Sequence, residues 1–347
     1  MTALNLISLA DFMADGPNLA AGSGASRSGD PDSERLPTLS RVGLGAWAFG
    51  GVGWGPQDDA DSIATICHAV SEGVDWIDTA AVYGDGHAER IVGRALAELP
   101  VGDRPLVFTK AGIRIDPSSG STYRDLSPAS LRAECEASLQ RLGVERLDLY
   151  QLHWPVEDEE VVTTAWTTLG ELRDEGKIRW AGVSNFDAAL LERCARIRPL
   201  DAAQLPLSLL EQRAAESELP WLAANRVPTI VYSPLESGLL SGSFSLARLA
   251  ALPEDDWRRR RPRFQSPQVE RALELVERLR PIAEAIGATM TELAIAWTLH
   301  FDGVSGAIVG GRTPAQVEGW IGAARLELDP TTLDAVAAAR ADILRAS

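Results

Sequence analysis

Four side chains in the first half of the chain have the types that carbonyl reduction needs: Asp78, Tyr83, Lys110 and His153. This reaction requires a hydride donor and an acid that protonates the nascent alkoxide. Tyrosine, with a pKa of about 10, is a poor acid at neutral pH unless a nearby cation stabilises its phenolate. A lysine can be that cation, an aspartate can hold the lysine, and a histidine can orient the carbonyl oxygen.

Lysine is scarce in this chain, which makes Lys110 informative. Of 33 basic residues only Lys110 and Lys177 are lysines, and the other 31 are arginines. The broad planar guanidinium of arginine cannot replace a compact ammonium beside a phenol. We therefore expect a specific role for Lys110, whereas Lys177 fits a solvated turn after a helix.

Short β-like runs alternate with longer helical patterns from Arg41 onward. The predicted strands span residues 41–47, 74–80, 105–110, 147–153, 178–185, 202–205, 229–233 and 306–310. Apolar residues at i, i+3 and i+4 mark the helices between them, and glycines such as Gly73, Gly143 and Gly176 indicate where helices stop. Eight strand–helix units predict a (β/α)8 TIM barrel, in which active-site residues lie at the carboxyl ends of the strands.

We expect one barrel domain at residues 39–347, preceded by a flexible N-terminal extension at residues 1–38. Residues 14–38 are rich in Gly, Ser, Ala, Asp and Pro and offer little to bury. The short apolar patch Leu4–Met13 before them is interpreted as a helical turn against the body of the protein.

The composition argues against several classes of function. The formal net charge of -16 disfavours binding to nucleic acid. Neither a membrane span nor a signal peptide is evident, so we expect a cytoplasmic protein without membrane contact. Cys67, Cys135 and Cys194 are widely spaced and indicate buried thiols in a reducing compartment. The four histidines lack metal-ligand spacing, so we expect no metal.

Six segments in sequence order resemble the aldo-keto reductase family. WIDTAAVYGDGHAERIVGRAL (76–96) resembles the stretch with the family's catalytic Asp and Tyr, LVFTKAG (106–112) the strand ending in its Lys, and LYQLHWP (149–155) the strand ending in its His. The cofactor-binding segments are similar to GVSNF (182–186), AAQLPLSLLE (202–211) and YSPLESGLLSG (232–242). The resemblance runs from about Ser40 to the C-terminus and implies a barrel that reduces carbonyls with a nicotinamide cofactor.

This resemblance also implies a role for each matching residue. Tyr83 would be the general acid/base, Lys110 would lower its pKa, Asp78 would anchor Lys110, and His153 would orient the substrate carbonyl. The substrate pocket would include Trp47, Trp54 and Trp154. Ser184, Asn185 and Gln204 would hold the nicotinamide carboxamide, and Tyr232 would stack on the ring. The full set of expected cofactor-binding residues is Ser184, Asn185, Gln204, Tyr232, Ser233, Leu235, Arg258, Gly310, Arg312 and Gln316.

Two arginine-containing loops predict NADPH as the cofactor. DDWRRRRPRF (255–264) follows the seventh strand and GGRTPAQ (310–316) follows the eighth, where barrels place phosphate sites. Arginine makes bidentate hydrogen bonds to phosphate oxygens, so Arg258 and Arg312 are expected to bind the pyrophosphate and the 2′-phosphate. A solvated basic loop is the alternative explanation for residues 258–261. Gly319 and Trp320 replace the family's adenine-contacting Glu-Asn, so we expect Trp320 to pack on the adenine.

Two functions of other kinds remain compatible with the sequence. The chain could run physiologically as an NADP+-dependent alcohol or sugar dehydrogenase, or it could be a cofactor-binding regulatory subunit. The expected partner is a small carbonyl or alcohol. Sugars, ketones on larger natural products and aromatic aldehydes would all suit an apolar, flat-walled pocket with polar groups at its base.

Overall fold

Eight parallel strands close into a barrel in the computed structural model, which describes residues 6–8 and 38–345. All eight predicted strands are confirmed, with boundaries shifted by at most two residues. Around the barrel each strand neighbours the next one in the chain, and the last pairs with the first. The barrel strands are β3 (Val42–Gly45), β4 (Trp76–Asp78), β5 (Leu106–Ala111), β8 (Leu147–Leu152), β9 (Ile178–Ser184), β10 (Ala202–Pro206), β11 (Thr229–Tyr232) and β12 (Val304–Gly310).

Helices connect the strands and cover the outside of the barrel. Several begin at side-chain caps that the sequence supplies, such as Ser127 before Pro128 and Thr289 in a capping box. Gly73, Gly143 and Gly176 adopt positive φ just after helices, as their predicted role as stop signals requires. The helices are α1 (Asp59–Ser71), α2 (His87–Glu98), α3 (Pro128–Leu142), α4 (Glu159–Asp174), α5 (Ala188–Ile197), α6 (Arg213–Glu216), α7 (Glu218–Ala224), α8 (Leu246–Ala250), α9 (Gln268–Ala285), α10 (Met290–Leu299), α11 (Pro314–Ile321) and α12 (Pro330–Arg345).

The inside of the barrel is apolar at its amino-terminal end and polar at its carboxyl-terminal end. A buried layer inside the lower barrel consists of Trp76, Phe108, Leu149, Trp180, Ala202, Ile230 and Ile308. Side chains along a strand alternate between faces, so the residues two positions further on also face inward. These are Asp78, Lys110, Gln151, Gly182, Gln204, Tyr232 and Gly310. The register of the strands therefore places ionisable and amide groups directly above this buried apolar layer.

Trp76 fills the floor of the barrel because two glycines, Gly43 on β3 and Gly306 on β12, leave room for its ring. A Cβ at Gly43 would lie 2.3 Å from the Trp76 ring, and one at Gly306 would lie 2.9 Å from it. The indole Nε1 donates to the Ser40 carbonyl oxygen at 2.8 Å. Trp76 is thus anchored two residues before Asp78, the last residue of β4.

Two short antiparallel ladders were not predicted from the sequence. Leu6–Ser8 (β1) pairs with Thr38–Ser40 (β2), whose Leu39 packs against the apolar floor. The predicted helical turn is therefore wrong for residues 6–8, and the rest of the predicted extension lies outside the described residues. The second ladder joins Ile113–Ile115 (β6) to Thr122–Arg124 (β7) directly after β5.

The three cysteines are free thiols. Cys135 and Cys194 are fully buried, as expected, whereas Cys67 is only partly buried. No single helix in the described part of the chain is long and apolar enough to cross a membrane, although the bent pair α9 and α10 meets the test of length and composition together.

Candidate active site

Asp78 and Lys110 form a buried ion pair at the carboxyl ends of β4 and β5. Lys110 Nζ donates to Asp78 Oδ1 at 2.5 Å and to the Thr79 carbonyl oxygen at 2.9 Å. Burial raises the pKa of Asp78 and lowers the pKa of Lys110, while their mutual attraction opposes both shifts. This is the contact that the expected anchoring of Lys110 by Asp78 requires.

Tyr83 lies in the loop after β4, with Lys110 Nζ 5.3 Å from its ring centroid. The loop packs tightly: a Cβ at Gly84, whose φ is 60°, would lie 2.3 Å from the Gly50 carbonyl oxygen. Desolvation of the hydroxyl, and then the Asp78 carboxylate, raise the pKa of Tyr83 well above its ordinary value. Burial dominates this balance, and the expectation that the Lys110 charge lowers the pKa of Tyr83 stays a prediction. Tyr83 is therefore a protonated phenol at neutral pH.

His153 follows β8 and faces Tyr83 edge to face, with the ring centroids 5.8 Å apart. Its amide donates to the Ala111 carbonyl oxygen at 2.9 Å, which fixes it beside the end of β5. Burial, and then the charge of Lys110, lower the pKa of His153 well below its ordinary value. The imidazole is therefore neutral at neutral pH, and its Nδ1 is buried without a hydrogen-bond partner. A neutral imidazole with a free ring nitrogen is suited to hydrogen bonding with a carbonyl oxygen.

Polar groups at the ends of β9, β10 and β11 surround the catalytic candidates. Asn185, in a left-handed conformation with φ of 64°, donates to the His153 carbonyl oxygen and to Ser184 Oγ, each at 3.0 Å. The Tyr232 hydroxyl donates to Asn185 Oδ1 at 2.7 Å. Gln204 Nε2 donates to Asp78 Oδ2 at 2.8 Å. Four of the expected cofactor residues are thus gathered beside the catalytic four.

An aromatic cluster covers one side of the mouth above Tyr83. The ring centroid of Trp47 lies 6.1 Å from that of Tyr83, 5.1 Å from that of Trp54 and 4.9 Å from that of Trp257. The sequence predicted Trp47 and Trp54 but missed Trp257, which lies within the arginine-rich loop. The indole Nε1 atoms of Trp54 and Trp257 are buried without a partner. Trp154, the third predicted pocket residue, packs with the guanidinium of Arg124 5.2 Å from its ring, and its place in the pocket stays a prediction.

Arg258 and Arg312, the predicted phosphate-binding residues, both contact the protein. Arg258 donates from Nε to Asp256 Oδ1 at 2.9 Å and from Nη2 to Asp256 Oδ2 at 2.6 Å. Its guanidinium also stacks over the Trp54 ring, 5.0 Å from the ring centroid. Arg312 donates to Gln57 Oε1 at 2.6 Å, to the Trp54 carbonyl oxygen at 2.9 Å and to the Pro56 carbonyl oxygen. Burial, and then the charge of Arg258, lower the pKa of Arg312. The two guanidinium groups are thus close enough to repel each other.

The remaining predicted cofactor residues lie at the same end of the barrel. Gln316 Oε1 accepts from the Arg312 amide at 2.7 Å. Ser233 follows β11 in a left-handed conformation, Leu235 lies two residues further, and Gly310 ends β12. Trp320 is only 2% exposed and belongs to the core, so the expectation that it packs on adenine is wrong. Across the described residues, no group of three or more His, Cys, Asp or Glu is arranged for a metal ion.

Two buried carboxylates support the strand that carries Lys110. Glu89 accepts from Thr109 Oγ1 at 2.7 Å and from Arg141 Nε at 2.6 Å. Glu134 accepts from the Gly112 amide at 3.2 Å and from Ser130 Oγ at 3.3 Å. Desolvation is the main cause that raises the pKa of Glu134 to about 7. Neither carboxylate was singled out from the sequence, because both lie within ordinary amphipathic helices.

Replacement of Glu134 by glutamine is expected to change how stability depends on pH. The folded state holds the Glu134 proton up to a pKa of about 7, against an ordinary value of 4.5, so stability is lost as pH rises between those values. The difference corresponds to about 3 kcal/mol. Glu134→Gln should therefore gain stability relative to the parent at pH 8 but not at pH 4.5, as measured by urea denaturation. If the free energy of unfolding changes with pH in the same way for both proteins, the raised pKa of Glu134 is contradicted.

Comparison with known proteins gives the same architecture and the same family. Residues 41–341 match the profile of the aldo/keto reductase family. The chain is 38% identical over 280 residues to the aldo-keto reductase YhdN of Bacillus subtilis, covering 80% of this chain and 83% of that protein. It is 36% identical over 307 residues to an NADH-specific methylglyoxal reductase of Escherichia coli, covering 84% and 91% respectively.

Solved structures also superpose on this barrel. A glycerol dehydrogenase from Gluconobacter oxydans matches with a TM-score of 0.81 and 37% identity, covering 89% of this chain and 93% of that one. An aldo-keto reductase from Bacillus halodurans matches with a TM-score of 0.73 and 24% identity, covering 87% and 93%, and shows the shared fold.

Proposed function

Because the chain belongs to the aldo/keto reductase family, we propose that it is an NADPH-dependent oxidoreductase that reduces an aldehyde or ketone to an alcohol. The single observation that carries this proposal is the arrangement at the end of the barrel. A protonated phenol, a buried ammonium and a neutral imidazole lie together there, at Tyr83, Lys110 and His153. These three groups can stabilise and protonate an oxygen that gains negative charge.

Tyr83 is the proton donor in the proposed reaction. Its hydroxyl proton moves to the carbonyl oxygen, and C=O becomes CH–OH. A nicotinamide held by Ser184, Asn185 and Gln204 would supply the hydride that the carbonyl carbon needs. Tyr83 is left as a phenolate, and the positive charge of Lys110 stabilises that form. Asp78 keeps the ammonium charged and in place. His153 donates a hydrogen bond to the carbonyl oxygen before and during the transfer.

The residues at the ends of β9, β10 and β11 fit a nicotinamide carboxamide. Ser184, Asn185 and Gln204 offer both donors and acceptors there, which is what an amide with its own donor and acceptor needs. Tyr232 supplies an aromatic ring on the inner face of β11, and its hydroxyl is held by Asn185. The nicotinamide would thus be oriented by residues that the fold fixes independently.

The arginine pair supports NADPH over NADH. Two guanidinium groups that repel each other form a favourable site for a phosphate dianion, which would offset their repulsion. Asp256 neutralises part of this charge through Arg258, so Arg312 is the better candidate for the 2′-phosphate. Arg312 now contacts Trp54, Pro56 and Gln57, and it would exchange part of these contacts for the phosphate.

Arg312→Ala is expected to weaken NADPH binding by about 1.5–3 kcal/mol, the worth of a charged hydrogen bond. NADH, which lacks the 2′-phosphate, should lose much less. Gln57→Ala is the matched control, because it removes one contact between Arg312 and the first loop but keeps the guanidinium. The control should change both affinities alike. Dissociation constants from quenching of tryptophan fluorescence test this, and equal losses for both cofactors in Arg312→Ala would transfer the phosphate site to Arg259–Arg261.

The aromatic cluster of Trp47, Trp54 and Trp257 supports a substrate with a flat apolar portion next to its carbonyl. A screen of aldehydes, ketones and sugars that follows the absorbance of NADPH tests the proposed activity. Oxidation in the reverse direction is the second candidate, favoured by the similarity to a glycerol dehydrogenase. Alcohols and polyols with NADP+ test that direction. Cofactor binding without turnover in either direction would instead support a regulatory subunit.

A further inference from the structure

We propose that Gln204 positions the Asp78–Lys110 pair as well as binding the cofactor, so that one side chain links the carboxamide site to the proton-donating groups. The part of this inference that concerns cofactor binding rests on the proposed function. The part that concerns Asp78 and Lys110 rests on contacts within the protein alone.

Gln204 and Lys110 divide the two oxygens of Asp78 between them. Oδ1 accepts from Lys110 Nζ at 2.5 Å, and Oδ2 accepts from Gln204 Nε2 at 2.8 Å. Gln204 is 3% exposed and Asp78 is 3% exposed, so water does not compete for either bond. Rotation of the carboxylate would break both bonds at once. Gln204 therefore fixes the oxygen that receives the ammonium.

The chemistry of the amide determines which of its ends faces Asp78. An ionised carboxylate only accepts hydrogen bonds, so the nitrogen of Gln204 must face it. The same nitrogen lies 3.4 Å from Gln151 Oε1, which engages its second N–H group. The carbonyl oxygen of Gln204 is then left for a donor such as the N–H of a nicotinamide carboxamide. A single side chain thus holds Asp78 through its nitrogen and the cofactor through its oxygen.

Gln151 completes this arrangement from β8. It is fully buried, and its side chain also favours the ionised form of Asp78, whose pKa it lowers. Its Oε1 accepts from Gln204 Nε2 at 3.4 Å, which favours the orientation of the Gln204 amide in which its nitrogen faces Asp78.

The charged and titratable groups that face the pair come from every adjoining element. Glu89 on α2 acts on Lys110 but is itself bound by Arg141. Tyr83, His153 and Tyr232 also lie close. Burial lowers the pKa of His153 and raises the pKa of both tyrosines, so all three are neutral near pH 7. A carboxyl group introduced at position 204 would therefore interact mainly with Asp78.

Gln204→Glu separates the two roles, because they predict opposite responses to pH. Beside Asp78 the introduced carboxyl has to keep its proton to donate, since two adjacent carboxylates cannot both ionise easily. The activity of Gln204→Glu, divided by that of the parent at the same pH, should then fall at least tenfold as pH rises from 5.5 to 8.5. A tenfold change is about the size of effect that corresponds to one pKa unit. If Gln204 only clamps the cofactor, the ionised carboxylate accepts the carboxamide N–H well and no such loss follows. Constant relative activity would overturn the proposal.

The cofactor-free protein provides a readout that does not depend on turnover. Gln204→Glu should have a lower thermal denaturation midpoint than the parent at pH 8 and a much smaller difference at pH 5.5. Gln204→Met, which has no donor at any pH, should show a lowered midpoint at both. A pH-independent difference for Gln204→Glu would show that Asp78 and position 204 are not coupled.

Ser184→Ala is the matched control, because Ser184 belongs to the carboxamide site and does not contact Asp78. It should weaken cofactor binding without changing the pH profile of turnover. If the parent proves inactive with all carbonyls and alcohols, the proposed function fails while the thermal measurements still test the link. If the parent is active but Gln204→Glu follows its pH profile, only the link fails.

Discussion

Tyr83→Phe is expected to lower turnover about 10²–10⁴-fold while NADPH binding changes only a few-fold. The substitution removes the hydroxyl that donates the proton and leaves the ring, which packs beside Trp47 and His153. Because the pKa of Tyr83 is raised in the structure, the parent holds this proton throughout the neutral range. Steady-state reduction of an aromatic aldehyde, with cofactor titration by fluorescence, measures both quantities.

Two other tyrosines provide the same chemical change at different places. Tyr123→Phe alters an exposed side chain on β7 and should leave turnover unchanged. Tyr232→Phe removes the hydrogen bond to Asn185 and should mainly weaken cofactor binding. Turnover in Tyr83→Phe within a few-fold of the parent would remove Tyr83 from the role of acid.

The barrel and its catalytic candidates could be predicted because both depend on short-range patterns. Each strand is a compact apolar run followed by a polar residue, and parallel strands bring their carboxyl ends to one edge. The sequence therefore predicts that Asp78, Lys110 and His153 lie near each other. Their inward direction follows from the two-residue period that starts at Trp76, Phe108 and Leu149.

The features that were missed depend on long-range contacts. In the sequence Trp257 lies within an arginine-rich loop, and its contact with Trp47 forms only when that loop folds over the barrel. Arg312 was predicted to bind phosphate, but the contact of its guanidinium with a loop some 255 residues away in sequence could not be predicted. The environment of Tyr83 also depended on packing, since the balance of burial against the Lys110 charge has no sequence signature. Trp320 was assigned to adenine, although its position on α11 faces the core.

The Asp78–Lys110 pair has consequences for stability that are separate from its role in catalysis. Removal of one partner from a buried ion pair leaves the other charge without compensation, which typically costs about 3–5 kcal/mol. Removal of both partners is often nearly neutral, because two desolvated charges disappear together. Catalysis should behave differently, since Tyr83 loses its cation whenever Lys110 is removed, with or without Asp78.

Lys110→Met replaces the buried ammonium by an uncharged chain of similar length and should lower the free energy of unfolding by about 3–5 kcal/mol. Asp78 then takes up a proton more readily, because burial already raises its pKa and the opposing lysine charge is gone. The second variant combines Lys110→Met with Asp78→Asn, whose amide oxygen still accepts from Gln204. It should recover most of the lost stability and none of the activity.

Lys177→Met is the matched control, because it removes the chain's other lysine from a surface pair with Glu136 and Glu175. Surface pairs contribute little, so its denaturation midpoint and turnover should barely change. Urea denaturation and aldehyde reduction on all three variants give the full comparison. Recovery of turnover together with stability in the double variant would mean that Lys110 serves the fold alone, since no ammonium would then remain beside Tyr83. Loss of turnover with restored stability assigns the positive charge of Lys110 to the reaction itself.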